Sequence, residues 1–147
     1  MTDPARVSPA DARALLDEGY VFVDVRSVPE FEQEHPAGAF NVPLMNLGPG
    51  GMTQNAEFLS VMTACFPIST KLVLGCKTGQ RSMRAARMLL ERGYAEVVDQ
   101  RAGMAGAHDP FGQIVEAGWK SAGLPTATGD GGDRSYRALR SRVSDQT

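Results

Sequence analysis

The sequence predicts an α/β domain in which helices cover both faces of a mostly parallel sheet. Three observations lead there. Helix and strand signals alternate from Ser8 to Val98. The strand segments Tyr20-Val21-Phe22-Val23-Asp24-Val25 and Lys71-Leu72-Val73-Leu74 are almost continuously apolar, the pattern of strands covered on both sides. Two helical segments run into Gly19 and Gly93, each where a C′ glycine belongs. Strands separated by helices of this length pair in parallel.

Each element has a local cause. Ser8-Pro9-Ala10-Asp11 reads as an N-cap, a proline in the first turn and a carboxylate three residues after the cap, and Ala12, Leu15 and Leu16 form an apolar stripe. Ser27-Val28-Pro29-Glu30 repeats the capping pattern and opens a short helix. Phe40-Asn41-Val42 is a short strand ended by Pro43, and Gly48-Pro49-Gly50-Gly51 is a loop. Residues 55–66 put Phe58, Val61, Met62 and Cys65 on one helical face, which Pro67 stops. The helix after Gln80 has Met83, Ala86, Leu89 and Leu90 as its core face, and Val97-Val98 is the last clear strand. Beyond Gly103 the pattern is less regular, with a turn of helix expected from Phe111 to Ala117 and an isolated Trp119 read as a packed aromatic. Gly129-Asp130-Gly131-Gly132-Asp133 reads as a flexible linker. Residues 126–147 are accordingly expected to be a linker and a solvated basic tail, in which Tyr136, Leu139 and Val143 could form one face of a short helix bearing Arg134, Arg137, Arg140 and Arg142; a basic dock for a partner is the alternative.

Composition narrows the function. The chain has 147 residues, a formal charge of −2, 42% hydrophobic and 22% charged residues, which suits one globular domain. A mildly acidic total argues against nucleic acid or an acidic membrane as partner. No apolar run approaches the ~20 residues of a membrane span, and Met1-Thr2-Asp3-Pro4 suggests no export signal. Two cysteines make no disulfide framework, so a reducing cytoplasm is expected. His35 and His108 lie far apart with no ligand cluster, so neither a metal nor a cofactor is expected.

Cys76 follows a buried strand and begins a glycine-containing loop that runs into a helix. Ligands bind at the carboxyl ends of parallel strands, and the N–H groups of a loop opening a helix can converge on an anion. A thiol there becomes a nucleophile without a neighbouring histidine. From Lys71 to Leu90 there are five basic residues (Lys71, Lys77, Arg81, Arg84, Arg87) and no acidic one. Arg81 and Arg84 oppose the helix dipole in its first turn, a broken local rule that points to function.

The segment Leu72-Val73-Leu74-Gly75-Cys76-Lys77-Thr78-Gly79-Gln80-Arg81-Ser82, followed by Ala85-Ala86, Leu89 and Gly93-Tyr94, resembles the active-site segment of rhodanese-like sulfurtransferases. Upstream, Asp24-Val25-Arg26, Glu30-Phe31, His35, Gly38-Ala39, Asn41 and Val42-Pro43 resemble the family's second signature. The resemblance covers about residues 7–107. It departs from the family at Glu34, Pro36 and Lys77, and Ala102-Gly103-Met104-Ala105-Gly106 with a late Trp119 replaces the usual glycine pair and tryptophan.

The resemblance implies a single rhodanese-like domain over residues 5–125 with a central five-stranded sheet. It implies a sulfurtransferase that moves a sulfane sulfur from thiosulfate or a persulfide donor to a thiol, a protein cysteine or cyanide. Cys76 is the expected nucleophile. Lys77, Thr78, Gly79, Gln80, Arg81 and Ser82 are the expected substrate-binding residues, with Lys77 and Arg81 attracting an anionic donor. Asp24, Arg26 and Glu30 are expected to brace the loop from behind. His35 is expected to make a structural hydrogen bond, and Cys65 to belong to the core. Residues 103–125 are a candidate lid. The alternatives are a non-catalytic, partner-binding rhodanese-like module and a cysteine-dependent phosphatase or arsenate reductase. Four residues separate Cys76 from Arg81, one fewer than in phosphatase loops of the C-x5-R kind, which favours sulfur over phosphate.

Overall fold

The computed structural model describes residues 3–144. Five strands form the central sheet: β1 (Ala5–Val7), β2 (Val21–Asp24), β4 (Phe40–Asn41), β7 (Leu72–Gly75) and β8 (Val97–Gln100). Their order is β1-β8-β7-β2-β4 and every pairing is parallel. The sheet is therefore wholly parallel. β1, which the sequence reading missed, supplies an edge; Ala5-Arg6-Val7 alternates apolar and polar, but three residues are too few to announce a strand.

Alternate residues of the central strands feed two cores. Val23, Leu72 and Leu74 face α3 (Phe58–Cys65), α4 (Gln80–Arg92) and α5 (Tyr136–Ser144), packing with Phe58, Val61, Met62, Ala86 and Leu89. Phe22 and Val73 point the other way, toward Ala12 of α1 (Pro9–Asp17), Phe31 of α2 (Val28–Gln33) and Trp119. The predicted caps are present. The Ser8 side chain accepts from Asp11 N–H at 3.1 Å, and Glu30 accepts from Ser27 N–H at 3.1 Å. The buried face of α4 is Ser82, Ala85, Ala86 and Leu89, rotated from the expected Met83-Ala86-Leu89-Leu90 face. Two alanines let the helix lie close on β7 and β8, and Ser82 is carried inward toward the loop.

Three regions depart from the sequence expectations. Gly48-Pro49-Gly50-Gly51 is the tip of a hairpin, β5 (Met45–Gly48) with β6 (Gly51–Gln54), whose mostly exposed strands have no buried face to imprint a pattern. Residues 111–117 are not helical. β10 (Ile114–Glu116) pairs antiparallel with β9 (Ala107–His108), around a turn in which the Asp109 carboxylate accepts from the N–H groups of Phe111 and Gln113 at 2.9 Å each. Ile114 and Val115 are β-branched, which suits the strand better than a helical turn.

The third departure is the C-terminal region. Residues 126–144 return to the domain and pack on it through one face, while most of their outer side chains stay exposed. β11 (Thr126–Ala127) pairs with β3 (His35–Pro36), and α5 lies against α3 with Leu139 0% exposed. Arg140 pairs with Glu57, and the Tyr136 hydroxyl accepts from Asn55 Nδ2 at 3.0 Å. The glycine run read as a linker turns the chain back instead, with Gly129, Gly131 and Gly132 all at positive φ. Residues 145–147 of the expected tail lie outside the described residues. Leu139→Ala is expected to lower stability by about 2–4 kcal/mol, measured by denaturant melts, because the cavity opens in the main core; a frayed tail would leave stability unchanged. Among the described residues, no helix is long and apolar enough to cross a membrane.

Candidate active site

The chain order of the sheet reverses at the β2–β7 pair, since β4 lies on one side of β2 and the chain then returns to the other. That switch point opens a crevice beyond the carboxyl ends of the strands. Residues 25–27 after β2, 76–79 after β7 and the segment after β8 meet there. The sequence order alone places Cys76 after a strand; the topology places it at the crevice.

Cys76 is 2% exposed and borders the main core, yet its sulfur is held by polar groups. Gly79 N–H donates to Cys76 Sγ at 3.1 Å, and Cys76 Sγ donates to Ser82 Oγ at 3.4 Å. Gly79 has φ +97°, which lets the loop fold back so that its amide meets the sulfur before α4 begins. The loop is closed from outside by the segment after β8. Met104 N–H donates to the Cys76 carbonyl and Ala105 N–H to the Lys77 carbonyl, both at 2.9 Å. A Cβ on Gly103 would sit 2.4 Å from the Lys77 carbonyl oxygen, so this approach requires glycine. The candidate lid is thus tied to the loop by main-chain bonds. Gln100 secures it further, donating to the Gly103 carbonyl and accepting from the N–H groups of Ala102 and Gly103.

The residues expected to brace the loop make the following contacts. Asp24 and Arg26 form a buried ion pair at 2.8 Å, and the Arg26 guanidinium also donates to the Glu34 carbonyl at 2.6 Å. Asn41 Nδ2 donates to the carbonyls of Asp24 and Arg26, joining β4 to the turn after β2. His35 meets the Phe31 carbonyl through Nδ1 at 2.7 Å and stacks on the Phe31 ring, a structural role as expected. Cys65 is half-buried and donates to the Leu139 carbonyl. Trp119 is buried, edge-on to Phe22 at 5.4 Å, with its Nε1–H donating to the Pro125 carbonyl.

Arg81 differs from its expected role. Its guanidinium is engaged by both Glu30 carboxylate oxygens, at 2.8 and 3.0 Å, so it ties α4 to α2 and does not stand open to an anion. The pairing also resolves the dipole conflict at the start of α4, because Glu30 offsets the cation. Burial would raise the Glu30 carboxyl, but the hydrogen bonds from Arg81 and Ser27 outweigh it and hold it at about 2. The same pairing raises Arg81. A carboxyl lowered from 4.5 to about 2 stabilises the fold fully above its unfolded value, and that stabilisation is lost as pH falls from 4.5 through about 2. Glu30→Gln is expected to remove this acid limb: melts of wild type and variant converge as pH drops across that window and separate above it. Lys77 and Gln80 are exposed and Thr78 is half-buried. Lys77 lines a cleft of about 370 Å³ with Arg26, Glu30, Met104 and Lys120. A cleft of about 380 Å³ between α1 and Trp119 contains no loop residue.

Two residues of the site escaped the sequence reading. Asp99, at 0% exposure on β8, accepts from Ser82 Oγ through one oxygen and from Arg6 Nε through the other at 2.7 Å. Arg6 of β1 also donates to the Gly79 carbonyl at 2.9 Å. Burial pushes the Asp99 carboxyl up against the lowering effect of these hydrogen bonds. A carboxylate after Val97-Val98 was the available signal. Arg6 offered none, since its strand is invisible in the pattern. Among the described residues, no group of three or more His, Cys, Asp or Glu side chains is placed to hold a metal ion.

Residues 8–109 match the family model described as Rhodanese-like domain. The chain is 37% identical over 123 residues to thiosulfate sulfurtransferase 16, chloroplastic, of Arabidopsis thaliana, covering 84% of this chain and 92% of that one. It is 33% identical to thiosulfate sulfurtransferase 18 of the same plant, covering 62% and 68%. It spans 53–57% of the length of three further curated relatives. The crystal structure of Rv0390 from M. tuberculosis superposes with a TM-score of 0.73 at 26% identity, covering 87% of this chain and all of that one.

Proposed function

The chain belongs to the rhodanese-like domain family, and on that premise we propose that it is a sulfurtransferase carrying a sulfane sulfur on Cys76. The observation that carries this reading is the Cys76 sulfur held by the Gly79 amide in a short loop at the switch point of the sheet. The Cys76 thiolate attacks the outer sulfur of thiosulfate or of a persulfide donor. For thiosulfate, the S–S bond forms as the donor's S–S bond breaks, and sulfite departs with its electron pair. The product is a Cys76 persulfide, whose negative charge the nearby Gly79 amide helps to stabilise. A thiol, a protein cysteine or, in an assay, cyanide then attacks that outer sulfur and restores the thiolate.

The cleft beside the loop, whose lining does not include Cys76, carries Lys77 and Lys120, which favour an anionic donor, together with Glu30 and Glu34. Lys120 is partly offset by Glu34, at 2.7 Å. The commitment of Arg81 to Glu30 weighs against a phosphatase or arsenate reductase, which needs its loop arginine turned to the oxyanion. Both described cysteines are free thiols, which a reducing compartment such as the cytoplasm preserves. The test is a thiosulfate:cyanide assay beside aryl-phosphate and arsenate assays, with intact mass after thiosulfate. A gain of one sulfur atom and thiocyanate release support the proposal. Phosphate release without sulfur uptake moves the chain to the phosphatase reading, and inactivity in every arm to the partner-binding one.

A further inference from the structure

We infer that Asp99 is the proton acceptor for Cys76, acting through the Ser82 hydroxyl. The inference rests on the nucleophilic role of Cys76 and deepens it. Ser82 has one hydroxyl hydrogen, and that hydrogen is directed to Asp99 Oδ1. Its oxygen can therefore only accept from Cys76, and the Cys76 thiol donates to it at 3.4 Å. All three side chains are buried, so the donors run in one direction from sulfur to carboxylate with bulk water excluded.

The transfer balances. The Cys76 S–H bond breaks and its proton joins Ser82 Oγ, while the original Ser82 proton passes to Asp99 Oδ1. Sulfur keeps the electron pair and becomes the thiolate. Ser82 then donates to the sulfur, and neutral Asp99 donates to Ser82. The negative charge has moved from Asp99 to Cys76 without any change in the total charge of the buried set. No additional ion is buried, and so the large desolvation cost of ionising an isolated inner thiol does not arise. Burial, which raises the Asp99 carboxyl, favours the proton's arrival.

Arg6 has two parts in the arrangement. Its Nε holds the second Asp99 oxygen, which aims the first at Ser82, and its Nη2 holds the Gly79 carbonyl, so that the Gly79 amide stays on the sulfur. The loop, α4, β8 and β1 are thereby joined in one closed hydrogen-bonded ring through Cys76, Ser82, Asp99, Arg6 and Gly79. Other charges near the ring are committed elsewhere: Arg81 of α4 to Glu30 of α2, and Asp24 at the end of β2 to Arg26. Lys77 is the exposed charge of the loop itself.

A relay of this kind has a distinctive pH signature. Because the thiolate forms by internal transfer, its population is independent of pH until Asp99 itself takes up a proton from solvent. The experiment is the rate of iodoacetamide alkylation of Cys76, located by mass spectrometry, across acid and neutral pH for the full chain. The wild-type rate is expected to level off on the acid side of neutrality. In Asp99→Asn and in Ser82→Ala it is expected to keep falling about tenfold per pH unit. Ser82→Ala leaves the Arg6–Asp99 pair intact, and serves if the charge change at Asp99 prevents folding. A wild-type rate that falls with the same slope as the variants overturns the inference. So does an Asp99→Asn or Ser82→Ala protein that is less active but keeps the levelled profile, which is the mark of a purely structural role. Alkylation needs neither sulfur donor nor acceptor, so a levelled profile in a protein without thiosulfate:cyanide turnover sinks the sulfurtransferase proposal and leaves the relay standing.

Discussion

Cys76→Ser is expected to lose sulfur transfer by at least ~10³-fold while keeping the thermal melt of the wild type. The change replaces one sulfur by oxygen at a buried position, and a hydroxyl can still accept from Gly79 and donate to Ser82. The fold therefore has little to lose. The chemistry has everything to lose, because an alkoxide is not available at neutral pH and an oxygen cannot become a persulfide. Intact mass after thiosulfate treatment reads the first half-reaction alone, and thiocyanate release reads both. Turnover retained in the serine variant, with Cys65 still in place, would transfer the sulfur-carrying role away from Cys76. A Cys65→Ser control with unchanged loading is the matching expectation, since Cys65 lies half-buried against α5 and away from the crevice.

The second large effect is Gly79→Ala. At φ +97° an L side chain is strained in any surroundings, and here its Cβ would lie 2.2 Å from the Arg101 carbonyl oxygen and 2.9 Å from Arg6 Nη2. Neither neighbour can yield without consequence: one is main chain, and the other is the guanidinium that holds both Asp99 and the loop. The loop must rotate, and the amide that reaches Cys76 Sγ rotates with it. Stability is expected to fall by about 2–4 kcal/mol, from backbone strain and overpacking together. Thiosulfate loading is expected to fall by more than about tenfold, even at temperatures where the variant is fully folded. Melts and loading rates measured on the same preparation separate the two effects. Normal loading in a destabilised protein would show that the Gly79 amide is dispensable to the sulfur.

What could be read from the chain in advance follows the range of the forces involved. The helix starts at Ser8 and Ser27, the glycine stops and the two apolar central strands are local effects, set within a few residues by caps, φ preference and burial on both faces. The loop around Cys76 was legible for the same reason: a thiol, two glycines and several cations stand next to one another. Of the three residues expected to brace the loop, Asp24 and Arg26 pair with each other and Glu30 holds Arg81.

The errors share a cause as well. Glycines at 129, 131 and 132 look like a linker when counted, but each supplies the positive φ that returns the chain to the domain. The apolar stripe of Tyr136, Leu139 and Val143 was outweighed by the arginines between them, whose charge says nothing of what the opposite face covers. The Asp109 turn and the hairpin at 107–116 depend on side-chain bonds to the main chain that periodicity does not register.

The sequence by itself determined that a thiol would stand at the end of a buried parallel strand, in a glycine-containing loop opening a helix, within an α/β domain. Only the tertiary structure decided which charges face that thiol. Arg81 is paired with Glu30, 51 residues away, whereas Asp99 and Arg6, 93 residues apart, are brought together behind Ser82. The reason is physical: strand order sets neighbours across the sheet, and a buried charge takes its partner from whatever the sheet puts beside it, however distant in the chain.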